Sequence, residues 1–555
     1  MTDPHSSPWE AWLNKWFIRL LIPAILVNAS GLFIRIMEPD GALYAVIARA
    51  IAETGDFVNL RVEGKDWLDK PHFPFWMAAI SFRIFGISSF AYKLPALLFW
   101  AAGGWYIFRI AKDIYGRGIA QLSVLIYVSA AHLVISNNDV RAEPYLTGLV
   151  IGAVYHFYKA SRVRPGRHLA AGALLAACAV MTKGPFVLVT IGGGFILDWI
   201  IRKDWAQFVH PRWWLALLLT GVCMLPELYC LYVQFDLHPE KLVFGRTGVS
   251  GIRWFFWDSQ FGRFFNNGPI RGSGEPFFYF HTLLWAFLPW SLVLYAGVIR
   301  KITRLSPHAV AGNGIFLGSA LLSFAMFSLS RFQLPHYLNI LFPFFSILSA
   351  DYLYSVRQRA VIRGIVIVQW IIICLLPALV LMLCWLYHFP AWSMMAVVVL
   401  FLSLLPFRLL RGHALTSAVG RSFWMAMVVF LFVNCCLYPS VLQYQAGMLA
   451  GDYIRRQVPD CRILYMPVNG PDNFSIEFWT PAPVRRFDPD SLHGRAAYYF
   501  VKETYADTLV RNGHRVERLE RWPNFHISQL TGEFLNYKTR ARTVEWMTLV
   551  RLNKP

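Results

Sequence analysis

Long apolar runs recur from residue 16 to residue 441, and they limit what this chain can fold into more than any other feature. About thirteen runs are predicted as membrane-spanning helices, several of them near the lower length limit for crossing a bilayer. They lie at 16–37, 90–110, 117–136, 144–160, 168–182, 185–201, 213–232, 277–299, 311–329, 335–354, 362–383, 391–408 and 422–441. Because 56% of the residues are hydrophobic, a soluble globular protein is excluded. The sequence predicts a mainly α polytopic membrane protein.

Basic residues fall mostly in every second connection between these runs, as in the clusters at 109–117 and 162–167. Lysine and arginine clusters of this kind are typical of cytoplasmic loops. The alternation predicts a cytoplasmic N-terminus, and an odd number of spans then places the C-terminal region outside. The first run continues as a full span without a cleavage-site pattern, so we expect a retained first helix. The net charge of +20 is explained by these loops and does not indicate nucleic-acid binding.

The last part of the chain, residues 446–555, differs from the transmembrane domain predicted for residues 1–445. It is charged, and its apolar residues come in short alternating stretches. Strands are predicted at 462–466, 496–501 and 544–552, and a helix at 502–512. We therefore expect a small external α/β domain. It has no recognisable catalytic motif, which favours a role as a lid or a scaffold.

Between the first two apolar runs, residues 38–87 are too polar for hydrocarbon and are predicted to form an external loop with surface helices. Glu38 and Asp40 precede a short helical pattern that ends at Thr54-Gly55. Negative charge is favoured in the first turn of a helix. A carboxylate such as Asp40 at a membrane-level cavity can deprotonate an acceptor, orient it or bind a metal. The alternative is an ordinary solvated carboxylate.

Further charged residues are predicted on the same outer face. Residues 137–144 place Asp139, Arg141 and Glu143 between two spans, where charges are costly and tend to face a cavity; a short polar turn is the alternative. Lys183 interrupts an apolar stretch and either extends to the interface or binds a phosphate. Three more cations of the outer loops could converge on a phosphate, because arginine offers a fork and lysine a point charge. They are Lys70, Arg263 and Arg331.

The motifs of the outer face occur in the order found in one family of membrane enzymes. They are Glu38-Pro39-Asp40, Tyr44-Ala45, Lys70-Pro71, Glu143-Pro144, Lys183-Gly184, Arg263-Phe264, Pro289-Trp290 and Leu334-Pro335-His336-Tyr337. Over roughly residues 16–441 the chain resembles GT-C membrane glycosyltransferases. It is most similar to the aminoarabinose (4-amino-4-deoxy-L-arabinose) lipid A transferases and their protein O-mannosyltransferase relatives.

The resemblance implies a GT-C fold with a cavity open to the outer side of the bacterial inner membrane. There a sugar on polyprenyl (undecaprenyl) phosphate is the donor, and lipid A, another glycolipid or a protein is the acceptor. Asp40 and Glu143 would be catalytic. The residues that would bind substrate are Tyr44, Lys70, Asp139, Lys183, Gln260, Arg263, Arg331 and Tyr337. No cofactor is required, although a divalent metal at the carboxylates stays open.

Three departures from the family pattern fall on the expected substrate face. Gly41 stands where the aminoarabinose enzymes carry a second carboxylate, Gln260 replaces a histidine, and Phe332-Gln333 replaces a Gly-Lys pair. They leave the fold intact but leave the sugar and the acceptor undetermined. A transporter of lipid-linked sugars and a glycolipid-binding scaffold inactivated by Gly41 are the alternatives to a transferase. The polar residues crowd one face, which favours the transferase over a transporter.

Overall fold

The structure, a computed structural model, describes residues 8–162, 165–304, 313–468, 474–488 and 497–552. Up to residue 445 it is helical apart from a short hairpin of β1 (Arg61–Val62) and β2 (Lys65–Asp66). The helices there are α1 Pro8–Ser30, α2 Asp40–Thr54, α3 Phe73–Phe85, α4 Ser89–Tyr115, α5 Arg117–Ser129, α6 Ala131–Asn138, α7 Glu143–Arg162, α8 Pro165–Lys183, α9 Val187–Arg202, α10 Ala206–Val209, α11 Pro211–Cys223, α12 Leu225–Leu231, α13 Gly251–Arg253, α14 Ser259–Phe265, α15 Phe278–Ala286, α16 Ser291–Thr303, α17 Asn313–Leu329, α18 Phe342–Ser355, α19 Arg359–Tyr387, α20 Trp392–Leu409, α21 Ala414–Phe432 and α22 Tyr438–Val441.

Each predicted apolar run contains a helix, but several are short or bent. Among the described residues, five helices are long and apolar enough to cross a membrane, or up to seven if each of two bent pairs is one span. The α5–α6 pair bends by 52° and the α11–α12 pair by 41°. The run predicted at 277–299 is divided into α15 and α16, with Pro289 between them. The mainly helical membrane architecture is confirmed, and the total of thirteen spans stays a prediction.

The first loop folds as a compact unit on the helices. Its helix α2 ends where the sequence predicted, because Gly55 adopts a φ of 77° and its N–H donates to the carbonyl of Ile51 at 2.9 Å. The inner face of α2 buries Ala45, Ile47 and Ala48 against α3 and neighbouring residues. Burial of this face fixes the position of Asp40, which is the first residue of α2 and lies at the start of the loop.

Residues 446–552 contain a five-stranded mixed sheet in the order β4-β3-β5-β7-β6. Its strands are β3 Leu464–Pro467, β4 Val484–Phe487, β5 Ala497–Lys502, β6 Val516–Asn524 and β7 Glu545–Leu552, and its helices are α23 Ala446–Gln457, α24 Phe474–Trp479, α25 Glu503–Arg511 and α26 Gly532–Leu535. The three predicted strands and the helix are present, although Ala496 lies outside the described residues. The sequence analysis missed β4 and β6, because both are rich in charged residues and little of β6 is buried.

This C-terminal unit is held on the first loop by polar contacts. Arg49 of α2 donates through Nη1 to the carbonyls of Glu477, Phe478 and Thr480 at 2.8–2.9 Å. Arg486 pairs with Glu63 of the hairpin at 2.7 Å. Further contacts join Arg35 to Asp452 and Glu38 to Ser475. The unit therefore sits beside Asp40.

Candidate active site

A cavity of about 610 Å³ opens beside the first residue of α2. Its walls come from the start of the first loop, from α6 and the connection to α7, from residues 334–336, and from residues 526–530 of the C-terminal unit. Among the described residues, the charged side chains that line it are Glu38, Asp40, Asp139 and Arg141. We call it the acidic cavity, because its lining has three carboxylates and one guanidinium group.

Arg141 joins the two carboxylates that lie at the mouth of α2. Its Nη1 donates to Asp40 Oδ2 at 2.7 Å, and its Nη2 and Nε donate to Asp139 Oδ2 at 2.9 and 3.1 Å. The Asp40 side chain is 38% exposed, about twice as much as those of its two partners. Burial raises the pKa of Asp40 above its ordinary value, while the Arg141 cation opposes that rise. A partly exposed carboxylate with a raised pKa is suited to accept a proton.

Gly41 makes room for Asp139. A Cβ atom at Gly41 would lie 2.8 Å from Asp139 Oδ1, closer than Cβ contacts are normally found. That oxygen is buried and accepts no hydrogen bond from any residue that the structure describes. Gly41 therefore replaces the second carboxylate of the family pattern. Its lack of a side chain leaves space for another carboxylate, that of Asp139, which lies in the connection before α7.

A second cavity, of about 90 Å³, lies among α8, α14, α17 and the 3₁₀ helix Pro335–Leu341. Its described lining includes the cations Lys183 and Arg263 and no carboxylate, together with aromatic side chains such as Phe264 and Tyr337. We call it the cationic cavity. It adjoins a smaller space that Lys70 and Asp69 also line.

Arg263 is held by a residue that the sequence analysis did not single out. Asp69 lies between Arg263 Nη2 and Lys70 Nζ, the latter at 2.9 Å. Burial alone would raise the pKa of Asp69, but the two cations reverse this and hold it below its ordinary value. Arg263 Nε is buried without a hydrogen-bond partner among the described residues. This N–H group is a donor left available for a ligand.

Lys183 is held by Glu143, which begins α7 and is 3% exposed. The Lys183 ammonium lies 2.5 Å from Glu143 Oε1 and 3.9 Å from the centre of the Tyr337 ring. His336 Nε2 lies 3.8 Å from the same carboxylate oxygen and lines the acidic cavity. Glu143 therefore positions Lys183 and connects the two cavities.

The other predicted site residues differ in how they relate to the cavities. Gln260 lines the cationic cavity and donates to Ser259 Oγ at 2.8 Å. Tyr44 is 7% exposed, and its ring packs edge-on against Phe75 with centroids 5.3 Å apart. Arg331 is exposed, and its peptide group makes the hydrogen bonds that the structure shows, at 3.1 Å to Phe264 and 2.7 Å from Gly274. Tyr44 and the Arg331 side chain therefore lie outside the linings of the two cavities.

The sequence analysis also missed His132 and the C-terminal wall of the acidic cavity, and it named His336 only as part of a motif. His132 and His336 line that cavity, as do His526 and the residues after it. A lone histidine in an apolar run gives no signal that separates a cavity residue from a core residue. Among the residues that the structure describes, no group of three or more His, Cys, Asp or Glu side chains is placed to bind a metal.

Comparisons with known proteins agree with this architecture. The family described as Dolichyl-phosphate-mannose-protein mannosyltransferase matches residues 69–230. A crystal structure of ArnT from Cupriavidus metallidurans bound to undecaprenyl phosphate aligns over 96% of this chain and 98% of that one, with a TM-score of 0.73 and 17% identity. The GT-C aminoarabinose transferase-like resemblance is confirmed.

Two relatives show how far this resemblance extends in sequence. The undecaprenyl phosphate-alpha-4-amino-4-deoxy-L-arabinose arabinosyl transferase of Edwardsiella ictaluri is 27% identical over 57% of this chain. The match spans about half of that relative, 55% of its length. An uncharacterized protein of Aquifex aeolicus is 25% identical over 80% of this chain and 83% of its own length. The fold is therefore shared with that crystal structure over nearly the whole chain, while the identity to these two relatives is 27% and 25%.

Proposed function

We propose that this protein is a glycosyltransferase that moves a sugar from polyprenyl phosphate to an acceptor at the outer side of the bacterial inner membrane. The acceptor is lipid A or a related glycolipid. The observation that carries the proposal is the cationic cavity, with Lys183 and the open Nε of Arg263, next to a cavity that contains Asp40. Phosphate recognition and a partly exposed carboxylate are the two elements that such a transfer needs.

In the proposed reaction the cationic cavity binds the donor phosphate. The acceptor oxygen attacks the anomeric carbon, the bond from that carbon to the phosphate oxygen breaks, and polyprenyl phosphate leaves with the electron pair. Arg263 and Lys183 stabilise the negative charge that grows on the phosphate, which is expected to be the largest contribution to catalysis. Asp69 and Glu143 hold these cations in place. Lys70 adds positive charge from the adjoining space.

Asp40 is the proposed group at the reaction centre. It accepts the proton of a hydroxyl acceptor, or orients an acceptor that is already anionic. Arg141 holds it in position, and Asp139 supplies a second carboxylate. The reaction needs no cofactor because the phosphate already activates the sugar, and a divalent metal at the carboxylates stays open.

The proposed topology has thirteen spans, with the N-terminus in the cytoplasm and residues 446–555 in the periplasm as an α/β domain. The basic clusters of alternate loops support this orientation. The lipid bilayer supplies the donor, since sugar nucleotides and ATP are confined to the cytoplasm. Nucleic acid is not a partner.

A second candidate is a protein O-glycosyltransferase. The match of residues 69–230 to the Dolichyl-phosphate-mannose-protein mannosyltransferase family favours it specifically. Such an enzyme would use the same donor cavity but accept a protein hydroxyl. A transporter of lipid-linked sugar is a weaker alternative, because the charged residues of both cavities crowd one face.

Mass spectrometry of glycolipids and glycoproteins tests the proposal. Cells lacking this chain are complemented with wild type or with Asp40→Asn, and membrane insertion is checked by immunoblotting. A sugar mass on lipid A or another glycolipid that appears with wild type alone supports the transferase. A mass difference confined to protein would identify the second candidate. Unchanged glycolipids and glycoproteins would contradict both.

A further inference from the structure

The smaller space beside the cationic cavity is lined by a buried carboxylate that the proposed reaction does not use. Glu227 lies in the first turn of α12 and is 0% exposed. It lines this space together with Asp69, Lys70, Lys183 and Arg263. Asp69 is paired with two cations, whereas no lysine or arginine among the described residues forms an ion pair with Glu227. An unpaired anion here would be costly and would oppose the binding of a phosphate.

The partner of Glu227 is His72, which is 1% exposed and directly precedes α3. The His72 ring Nδ1 lies 3.0 Å from Glu227 Oε1, and the His72 backbone N–H donates to Glu227 Oε2 at 3.0 Å. The other ring nitrogen, Nε2, lies 3.0 Å from the carbonyl oxygen of Val58. Each ring nitrogen and each carboxylate oxygen therefore has a partner.

These contacts determine how many protons the pair holds. The Val58 carbonyl can only accept a hydrogen bond, so Nε2 of His72 carries a hydrogen. The contact between Nδ1 and Glu227 Oε1 needs a second hydrogen, which is on the nitrogen or on the oxygen. In the first case the pair is an imidazolium with a carboxylate, and in the second it is a neutral imidazole with a carboxylic acid. The pair has no net charge in either case.

Other charged or titratable groups surround the pair, but none in the described part of the chain forms a hydrogen bond with the His72 ring or the Glu227 carboxylate. They are Asp69, Lys70, Lys183 and Arg263 in the lining of the space, and Asp56, Arg61, Arg83 and Cys230 around residues 56–58. On a third side the Trp76 ring packs against the imidazole, with centroids 5.4 Å apart. His72 is therefore the group that decides whether Glu227 adds a negative charge to the space.

We propose that His72 keeps the donor site positively charged by neutralising Glu227, and that it is thereby a positioning residue for the donor phosphate. This rests on the proposed function and adds a determinant of donor binding that lies outside the lining of both cavities. Without His72, the carboxylate of Glu227 repels the phosphate and competes with it for Lys70 and Lys183. The effect is strong because the site is buried, where electrostatic interactions are less screened than in water.

The test measures binding of undecaprenyl phosphate to the full chain in lipid nanodiscs at pH 8 by fluorescence titration. His72→Gln should weaken binding about tenfold, because it leaves a charged carboxylate in the space. Glu227→Gln should bind within about twofold of wild type, because an amide can make the same three contacts with a neutral imidazole. The double variant His72→Gln/Glu227→Gln should recover to within about threefold of wild type. A thermal unfolding scan of each preparation checks that the variants fold.

A change of pH provides a readout that a merely structural role would not move. At pH 5 the carboxylate of the His72→Gln variant takes up a proton, so its loss of affinity relative to wild type should shrink from about tenfold to about twofold. The comparison with wild type at each pH removes the effect of ionisation of the phosphate itself. The exposed pair of His238 and Glu240, 2.9 Å apart, supplies the matched control, and His238→Gln should bind as wild type does at both pH values.

The pattern across the variants decides the outcome. Equal losses in the two single variants, or a double variant no better than His72→Gln, would overturn the proposal and leave the pair a structural role only. A loss in His72→Gln that is the same at pH 5 and pH 8 would overturn it too. If His72→Gln does not fold, tenfold weaker binding by Glu227→Gln is still sufficient to overturn it. Failure of wild type to bind undecaprenyl phosphate would instead contradict the proposed function itself.

Discussion

The acidic and the cationic cavity lie next to each other but have opposite electrostatics. The cationic cavity has Lys183 and Arg263 in its lining, and the carboxylates that hold them, Glu143 and Asp69, are not part of that lining. In the acidic cavity the charges have the opposite roles. The carboxylate of Asp40 is the more exposed group, and the cation of Arg141 holds it in place. In each cavity the group presented to a ligand is held by a partner of opposite charge.

This difference explains how one site can hold a phosphate and activate an acceptor at the same time. A carboxylate beside the donor phosphate would weaken its binding, and a free cation beside the acceptor would lower the basicity of Asp40. The link through Glu143, which contacts both Lys183 and His336, keeps the two cavities at a fixed separation. The following predictions test whether the two cavities really act separately.

The largest effect is expected from Asp40→Asn. Transfer should fall about 10³-fold, since general acid–base catalysis typically contributes 10²- to 10⁴-fold. Binding of undecaprenyl phosphate should change less than about twofold, because Asp40 does not line the cationic cavity. The transfer rate and the dissociation constant are measured on the same preparation. Glu53→Gln, an exposed carboxylate at the other end of α2, is the matched control. Equal losses in transfer and donor binding would contradict separate cavities.

A smaller effect is expected from Arg263→Ala. Undecaprenyl phosphate should bind about 10- to 100-fold more weakly, because charge-assisted hydrogen bonds contribute about 1.5–3 kcal/mol each. Arg263→Lys should recover part of the affinity. Arg331→Ala serves as the comparison. The Arg331 side chain is exposed and lies outside the cavity lining, so this substitution should change the affinity less than about twofold. Fluorescence titration with undecaprenyl phosphate measures both. A larger loss for Arg331→Ala than for Arg263→Ala would reverse the assignment.

Gly41→Ala should act on the acidic cavity alone. Its Cβ would press on Asp139 Oδ1, while the same carboxylate is bonded to Arg141 through Oδ2. Displacing Asp139 is expected to lower the transfer rate about tenfold and leave undecaprenyl phosphate binding unchanged. The control is Gly192→Ala, because Gly192 is also in a helix and has open space around it. Gly64 of the hairpin is unsuitable because its φ is positive. Unaltered transfer by Gly41→Ala would show that the position of Asp139 is unimportant.

The smallest effect is expected in the pH dependence of the unfolding temperature. It concerns the C-terminal unit, which contributes residues to the acidic cavity but none to the cationic cavity. Burial, with a further contribution from Glu63, raises the pKa of Glu477 to about 7, and Glu477 lies where the C-terminal unit contacts the hairpin. The folded protein holds this proton more tightly than the unfolded chain does, so stability falls as pH rises from about 4.5 to about 7. Glu477→Gln should therefore raise the unfolding temperature by about 2 °C at pH 8 and leave it unchanged at pH 4. A stabilisation of the same size at both pH values would contradict the titration.

The sequence pointed to the groups that each cavity presents and to two of the groups that hold them, Arg141 and Glu143, but not to Asp69. Lys183 interrupts an apolar stretch, where an isolated charge is costly and therefore conspicuous, whereas Asp40 and Arg263 were singled out by the motifs of the family resemblance. Asp69 escaped notice because its contact with Arg263 joins residues 194 positions apart. Local patterns contain no information about such a contact, and for the same reason they could not separate Arg263 from Arg331.

The C-terminal unit shows the same limit at the level of secondary structure. Strands with buried apolar residues, such as β5, were predictable from alternation, whereas β6 has few buried positions and was missed. The approach of the 526–530 turn to Asp40 depends on how Arg49, Glu63 and Ile527 join the unit to the first loop. These contacts form only in the folded chain.

A cryo-electron microscopy structure of the wild-type chain with undecaprenyl phosphate would test the separation of the two cavities most directly. The account predicts phosphate density in the cationic cavity, within hydrogen-bond distance of Arg263 Nε and the Lys183 ammonium, and none beside Asp40. Phosphate density bonded to Arg141 in the acidic cavity would contradict it.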